Sequence, residues 1–482
     1  MPGDLSPREL RDTGRAVLDW IAEYLEHPEK YPVLSRVRPG DVRSSLPAAP
    51  PRDAEPLDAI MRDFETKILP GITHWNHPAF FGYFATSSSV PGILGEMLVS
   101  ALDVKAMLWK TSPAATELEE VVTDWLRQML GLREGWFGIT TDTASISSML
   151  ALAAAREARP ELAIRERGMA GRDDLPRLRV YASPHAHSSV DKAALALGLG
   201  LENVVKVGDD ESFRMRPDAL AAAIAADRAS GYLPIACVAT VGTTGMTSID
   251  PVPAIAEITK REGVWLHVDG AYGGMLAIVP EYRNILDGVE DADSFVVNPH
   301  KWLFTPFDCS AFYVKRPDVL KRAFSLVPEY LVTREQDDVV NYMDYGVQLG
   351  RRFRALKLWM VIRAFGVDGL AERLRQHCAL ARDLAGWVEA SDDWTLMAPV
   401  PFSLVCLRYA PNGMSDAECD RANERIMHEV NAGGEVFLSH TKIASRFTLR
   451  LAIGNIRTEE RHVRLAWELL NAAARQAYLT SR

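Results

Sequence analysis

The sequence predicts an α/β fold built on a mostly parallel central sheet with helices on both faces. Three observations predict it. Short β-branched runs alternate with Ala/Leu-rich stretches between about residues 90 and 370. Most of those runs are apolar on both sides, as strands covered on both faces must be. The stretches between them open with Ser, Pro or Asp and close at or near Gly, which is how helices are punctuated. Such alternation implies parallel strands joined by helical crossovers, and ligands of these sheets gather outside the carboxyl ends of the strands.

Taken in order, the segment MPGDLSPRELRDTGRAVLDWIAEYL carries Leu10, Val17, Ile21 and Leu25 at the spacing of an amphipathic helix. It has neither the positive start nor the unbroken apolar stretch of a signal peptide, and no run reaches the length of a membrane span, so the expectation is a cytoplasmic protein. The Pro-rich stretch PAAPPRDAEP closes an extended connector, and residues 1–89 form the expected N-terminal helical arm. Within a large domain of residues 90–370, the expected strands are LRVYAS (178–183), NVVKV (203–207), PIACVATVG (234–242), VWLHVDG (264–270), SFVVN (294–298) and SAFYV (310–314). SSVDKAALALGLG, RPDALAAAIAADRAS and PVPAIAEITKREG are the helices between them. GRRFRALKLWMVIRAFG (350–366) reads as a long helix with a Gly stop. A small C-terminal α/β domain, 371–482, follows. Its strands are expected in HEVNAGGEVFLSH and RFTLRLAIG, and its last helix in TEERHVRLAWELLNAAAR, capped by Thr458.

Composition narrows the function. With 482 residues, 48% hydrophobic and 24% charged, the chain can bury a large core, and its net charge of −10 argues against a nucleic-acid surface or a polybasic membrane patch. Five scattered Cys without a C-x-x-C pair suggest reduced thiols, neither a disulfide framework nor a zinc site. His185 and His187 share an H-x-H spacing, but no carboxylate or Cys accompanies them at ligand spacing, so no metal is expected.

The chemistry lies at the strand ends. Asp269 closes one apolar run and is followed by small residues that let something approach the backbone. Lys301 follows the next run, flanked by Trp302, Leu303 and Phe304. A desolvated lysine loses its charge and becomes a nucleophile, and a carboxylate can keep a pyridine nitrogen protonated; together they match what pyridoxal phosphate needs. The run GITTDTASISSMLALAAARE, hydroxyls opening a helix, offers N–H groups to a phosphate. His187 suits a ring-stacking or capping role.

HPAFFGYF, SPAATELE, AHSSVDKA, ATVGTTG, WLHVDGAYGG, NPHKWL with FDCSAFYVK, and LGRRFRALKLW stand in this order along nearly the whole chain. In that order they resemble the group II pyridoxal-phosphate decarboxylases, most closely the aromatic L-amino acid decarboxylases. The resemblance implies the type I, aminotransferase-like fold and a homodimer with shared active sites, the N-terminal arm packing on the partner. It implies Lys301 as the covalent anchor of the cofactor, Asp269 as the partner of the pyridine nitrogen, His187 as the stacked imidazole and Thr244 near ring and substrate. Thr143, Ala144, Ser145, Asn298 and His300 fall where the family holds the phosphate. Trp75, Tyr83, Phe84 and Thr86 match positions lining the substrate pocket, joined by Lys105 and Met107, which come from the partner subunit, and by Gly350. Tyr342, seven residues before LGRRF, matches a mobile catalytic tyrosine that protonates the carbon left after CO2 departs; Tyr345 competes for that assignment.

This chain departs from the family at several positions. Asp142 stands where Gly or another small residue is usual beside the phosphate, a carboxylate that should be repelled unless it points away, and Ala85 replaces a common Pro. Lys105 and Met107 replace apolar or aromatic residues. Gly350 leaves room for a bulky ring. The expected activity is decarboxylation of Trp, Tyr, Phe or a hydroxylated relative. Lys105 motivates an acidic amino-acid decarboxylase as an alternative, and an aldehyde-forming relative is a further one, which Tyr342 disfavours. A catalytically silent binding protein would be expected to lose Lys301, Asp269 or His187.

Overall fold

The computed structural model describes residues 4–326 and 338–480. The chain divides into two compact units, one of residues 1–85, 386–397 and 407–482, the other of residues 86–385 and 398–406. The first unit thus draws together the N-terminal arm and most of the C-terminal segment.

In the first unit, α1 (Pro7–Glu26) begins in a capping box: Ser6 Oγ accepts from Glu9 N–H, and the Glu9 carboxylate accepts from Ser6 N–H. No residue of this helix is buried. A five-stranded sheet runs β1 (Phe80–Phe81), β11 (Phe437–Ile443), β12 (Arg446–Ala452), β10 (Leu404–Tyr409) and β9 (Trp394–Leu396). Residues 407–409 of β10 belong to this unit. Much of HEVNAGG, expected as strand, ends the helix Asp416–Gly433 instead, and the left-handed Gly434 closes it. The last helix spans Glu460–Thr480. Thr458 does not cap it, because its hydroxyl donates to the Pro78 carbonyl (2.6 Å), while His462 Nδ1 accepts from Glu459 N–H (3.0 Å).

The second unit is organised by a seven-stranded sheet. Its strands are β2 (Phe137–Thr141), β3 (Leu178–Ala182), β4 (Val204–Lys206), β5 (Leu233–Thr240), β6 (Trp265–Asp269), β7 (Ser294–Val297) and β8 (Ser310–Val314), in the order β2-β8-β7-β6-β5-β3-β4. β3 to β7 pair in parallel, and β8 runs antiparallel to both β7 and β2. The α/β, mostly parallel fold is therefore as expected. β6, β7 and β8 are buried throughout, which is why their sequences are apolar on both faces apart from a few buried polar residues such as His267 and Asp269. Against one face packs the Ala-rich helix Ala144–Glu157, whose small side chains let the backbone sit close to the sheet. The long helix begins at Arg354 and is interrupted at Gly366, which adopts φ 64° and ψ 167°.

Candidate active site

Strand register brings the ends of β5, β6 and β7 side by side, with Asp269 opposite both Thr240 and Val296. Asp269 is buried, and its Oδ1 accepts from Ala271 N–H (3.0 Å), which turns the carboxylate over the strand end. The glycines after it serve the fold. A Cβ on Gly273 would lie 2.6 Å from the Val241 carbonyl and 2.5 Å from the Phe402 ring, so the close approach expected there is made by neighbouring protein.

β7 leads through Asn298 into the turn Pro299–Trp302, which carries His300 and Lys301. Trp302, Leu303 and Phe304 are fully buried beside it. Burial lowers the Lys301 pKa, and the Asp269 carboxylate on the neighbouring strand end opposes that shift. Burial also lowers the His187 pKa, and both Lys301 and Asp269 act on its charge. His187 follows β3 and accepts from Ser189 N–H at Nδ1 (3.1 Å); the residue keeps an exposed surface while its ring is partly desolvated by the surrounding protein. Its companion His185 is directed elsewhere, with Nε2 2.8 Å from Asp209.

The same strand ends suit a phosphate. The helix Ala144–Glu157 starts after Thr143, whose side chain makes no capping bond, so the first N–H groups of the helix are available to an anion. Asp142 turns back on Thr143, accepting from its N–H (2.6 Å) and its hydroxyl (3.3 Å). His300 Nδ1 accepts from Cys309 N–H (3.0 Å), which leaves its proton on Nε2, and burial pushes its pKa down to about 3. It is a neutral donor at physiological pH. Asn298 is 2% exposed, and its Oδ1 has no hydrogen-bond partner among the described residues. Oδ1 and Nδ2 exchange by a half-turn of the amide, so this side chain can offer an N–H to an anion. A buried amide with an unmet hydrogen bond, a neutral imidazole donor, a bare helix start and a desolvated lysine opposite a carboxylate fit pyridoxal phosphate. Thr244, half-buried, lies in the loop after β5.

The remaining candidates fall in separate places. Trp75, Tyr83 and Phe84 belong to the first unit, where Trp75 stacks on Tyr83 with ring centroids 5.7 Å apart. Tyr83 adopts φ 54°, held by Ser439 Oγ accepting from its N–H (3.1 Å). Thr86, Lys105, Met107 and Gly350 belong to the second unit, with Lys105 and Gly350 exposed and Met107 half-buried. A Cβ on Gly350 would meet nothing within 4 Å.

Tyr342, the expected proton donor, is buried in this chain. It is 2% exposed, its hydroxyl donates to the Gly138 carbonyl at 3.5 Å, and its ring lies against Phe137 and the Arg351 guanidinium. Gly138 is three residues before the strand end Thr141, back from the edge where Lys301 stands. Tyr345 packs on Phe137 at 4.7 Å. The other tyrosine between β8 and the long helix, Tyr330, lies outside the described residues.

Some residues escaped the sequence reading. Arg450 is 3% exposed, donates to Ser439 Oγ (2.8 Å) and to the Tyr83 carbonyl (3.4 Å), and faces the Phe84 ring. In RFTLRLAIG it alternates with Phe447, Leu449 and Leu451, so it reads as the polar face of a half-exposed strand, whereas both faces are buried.

Known proteins extend these observations. The pyridoxal-dependent decarboxylase conserved domain matches residues 39–410. Tryptophan decarboxylase 2 of Oryza sativa subsp. japonica is 40% identical over 480 residues, covering 98% of this chain and 95% of that protein. Phenylacetaldehyde synthase of Arabidopsis thaliana is 40% identical over 98% of this chain and 96% of its own length. Among solved structures, Oryza sativa TDC with PLP and tryptamine superposes with a TM-score of 0.95 at 36% identity, covering 99% of each chain. With Lys301 and Asp269 at adjoining strand ends and the conserved-domain match over residues 39–410, the chain belongs to the pyridoxal-dependent decarboxylase family.

Proposed function

We propose that this protein decarboxylates an aromatic L-amino acid, Trp, Tyr, Phe or a hydroxylated relative, to the arylalkylamine and CO2. The observation that carries the reading is the desolvated Lys301 facing Asp269 across adjacent strand ends, with His187 beside both. The high identity to relatives named for tryptophan and tyrosine supports the aromatic class, as does the solvent-open Trp75–Tyr83 stack.

Bound pyridoxal phosphate supplies the electron sink for the Cα–carboxylate bond. Lys301, uncharged when its amine is desolvated, provides the nucleophile that holds and releases the cofactor. Asp269 keeps a proton at the pyridine nitrogen. His187 would cover one ring face, Asn298, His300 and the helix start Thr143–Ser145, through the N–H groups of Ala144 and Ser145, would hold the phosphate, and Thr244 would border the ring. Thr86, with Gly350 and with Lys105 and Met107 contributed by the partner subunit, would meet the substrate side chain and orient it for loss of the carboxylate.

A cytoplasmic homodimer belongs to the same proposal. Val90, Leu94, Leu98 and Leu102 recur at every fourth position of the helix Val90–Leu102, and all four are exposed, as is Leu10 of α1. An exposed apolar stripe of this kind fits a second copy of the chain. Among the described residues no helix is long and apolar enough to cross a membrane.

Two rival readings have an observation each: the exposed Lys105 favours an acidic substrate, and the burial of Tyr342 weakens the ground that disfavours aldehyde formation. A panel of Trp, Tyr, Phe, Glu, Asp and cysteine sulfinate, assayed for CO2 release, tests the substrate class. Turnover of the three aromatic acids is expected; turnover confined to the acidic ones overturns it.

A further inference from the structure

One buried ion pair takes no part in the chemistry above. Glu119 and Arg351 have side chains 0% and 6% exposed and join at 2.6 and 3.1 Å in a two-pronged bond. Pairs of this kind are often replaceable by apolar residues without loss of stability, so stability is a weak reason for one. What a guanidinium adds is direction, because its donors are fixed in one plane. Arg351 spends them on three separate segments: the Glu119 carboxylate, the Thr140 carbonyl (2.7 Å) and the Ala106 carbonyl (3.0 Å). Glu119 also accepts from Thr140 N–H (2.8 Å). Thr140 lies three residues before the start of the phosphate residues, and Ala106 lies between Lys105 and Met107.

The loop is stitched to the same segment a second time. Ala106 N–H donates to the Arg351 carbonyl (2.9 Å), Met343 N–H to the Met107 carbonyl (3.1 Å) and Trp109 N–H to Asn341 Oδ1 (3.0 Å). The Tyr342 ring lies over the guanidinium, 4.7 Å away, and excludes water from it.

We infer that Glu119 and Arg351 are a positioning pair for substrate selection, holding Lys105 and Met107 in register with the phosphate-binding strand under the cover of Tyr342. This rests on the proposed reading of Lys105 and Met107 as pocket residues that each chain contributes to its partner's site, and adds what places them.

The test uses the cofactor-loaded enzyme and three variants: Glu119→Leu with Arg351→Met, which substitutes apolar side chains for the pair; Arg351→Lys, which keeps the charge and loses the planar fork; and Met107→Ala. Bound cofactor, thermal midpoint, and kcat and KM for Trp and Phe are measured in each. Displacing a pocket loop by a fraction of an ångström is expected to raise KM about tenfold while kcat changes little. The Trp to Phe ratio of kcat/KM should shift in both pair variants, in the same direction as in Met107→Ala, with cofactor content intact. Wild-type KM and ratio in a cofactor-loaded Arg351→Lys or double variant, beside a shifted Met107→Ala, overturns the inference and leaves the pocket reading standing. If Met107→Ala also leaves both unchanged, the pocket reading falls and the inference with it.

Discussion

Replacing Tyr342 by Phe separates a catalytic from a structural tyrosine. The hydroxyl reaches the Gly138 carbonyl at 3.5 Å, the outer limit of a hydrogen bond, and burial raises its pKa well above the ordinary range, so it holds its proton. Losing so long a bond should cost about 0.5–1 kcal/mol, and the thermal midpoint should fall by about 1–3 °C. The ring stays in place over Arg351 and against Phe137. Since a general acid contributes roughly 10²- to 10⁴-fold, a structural role predicts kcat within about twofold of the parent enzyme. Steady-state assays of amine formation, with melting followed in parallel, give both numbers. A fall in kcat of about 100-fold or more, with the fold and cofactor intact, refutes the reasoning and returns Tyr342 to the reacting carbon. Tyr342→Ala, which empties the ring's site, should by contrast destabilise by about 3–5 kcal/mol.

Further outcomes follow from the same geometry. Lys301→Ala should abolish the yellow colour of the cofactor-loaded protein; a variant that keeps the parent's absorbance band contradicts the anchor role. Asn298→Leu removes a donor to a charged group and should weaken cofactor binding by about tenfold or more, read by titrating the cofactor into the stripped protein. His77 and His267, buried at 4% and 0% exposure, are both pushed down by burial from 6.5 to about 4. Between those values the unfolded chain binds the extra protons, so this contribution is complete above about pH 6.5 and is lost as pH falls towards 4. From pH 7.5 to 5.5 the two together should remove roughly 3 kcal/mol of unfolding free energy, measured by urea titration; no loss over that interval contradicts their burial as neutral rings.

The fold was legible wherever burial on both faces leaves an unbroken apolar run, as in SFVV and SAFYV, whose strands start where the sequence places them. β2 was missed because FGITT, with a glycine and two threonines, reads as the entry to a helix, yet it is the strand that leads directly into that helix. β10, LVCLRY, was missed although its burial is complete, since Arg408 breaks the apolar pattern and finds its partners in Asp420 and the Phe447 carbonyl only in three dimensions. Lys301 and Asp269 announce themselves by standing at the ends of runs whose composition asks for burial. Depth has no such signature in a short turn: Tyr342 keeps a suggestive distance from LGRRF, but the apolar floor formed by Phe137 comes from a segment about 200 residues away. Glu119 and Arg351 were hidden for the same reason, each looking alone like a solvated charge on a helix or loop.

The most direct test of the central claim is the product balance with Trp, Tyr or Phe as sole substrate under air. Decarboxylation with protonation at Cα predicts one arylalkylamine for each CO2, with no ammonia or peroxide. Aldehyde, ammonia and hydrogen peroxide appearing in step with CO2 and oxygen uptake would contradict it and assign the oxidative reaction to this chain.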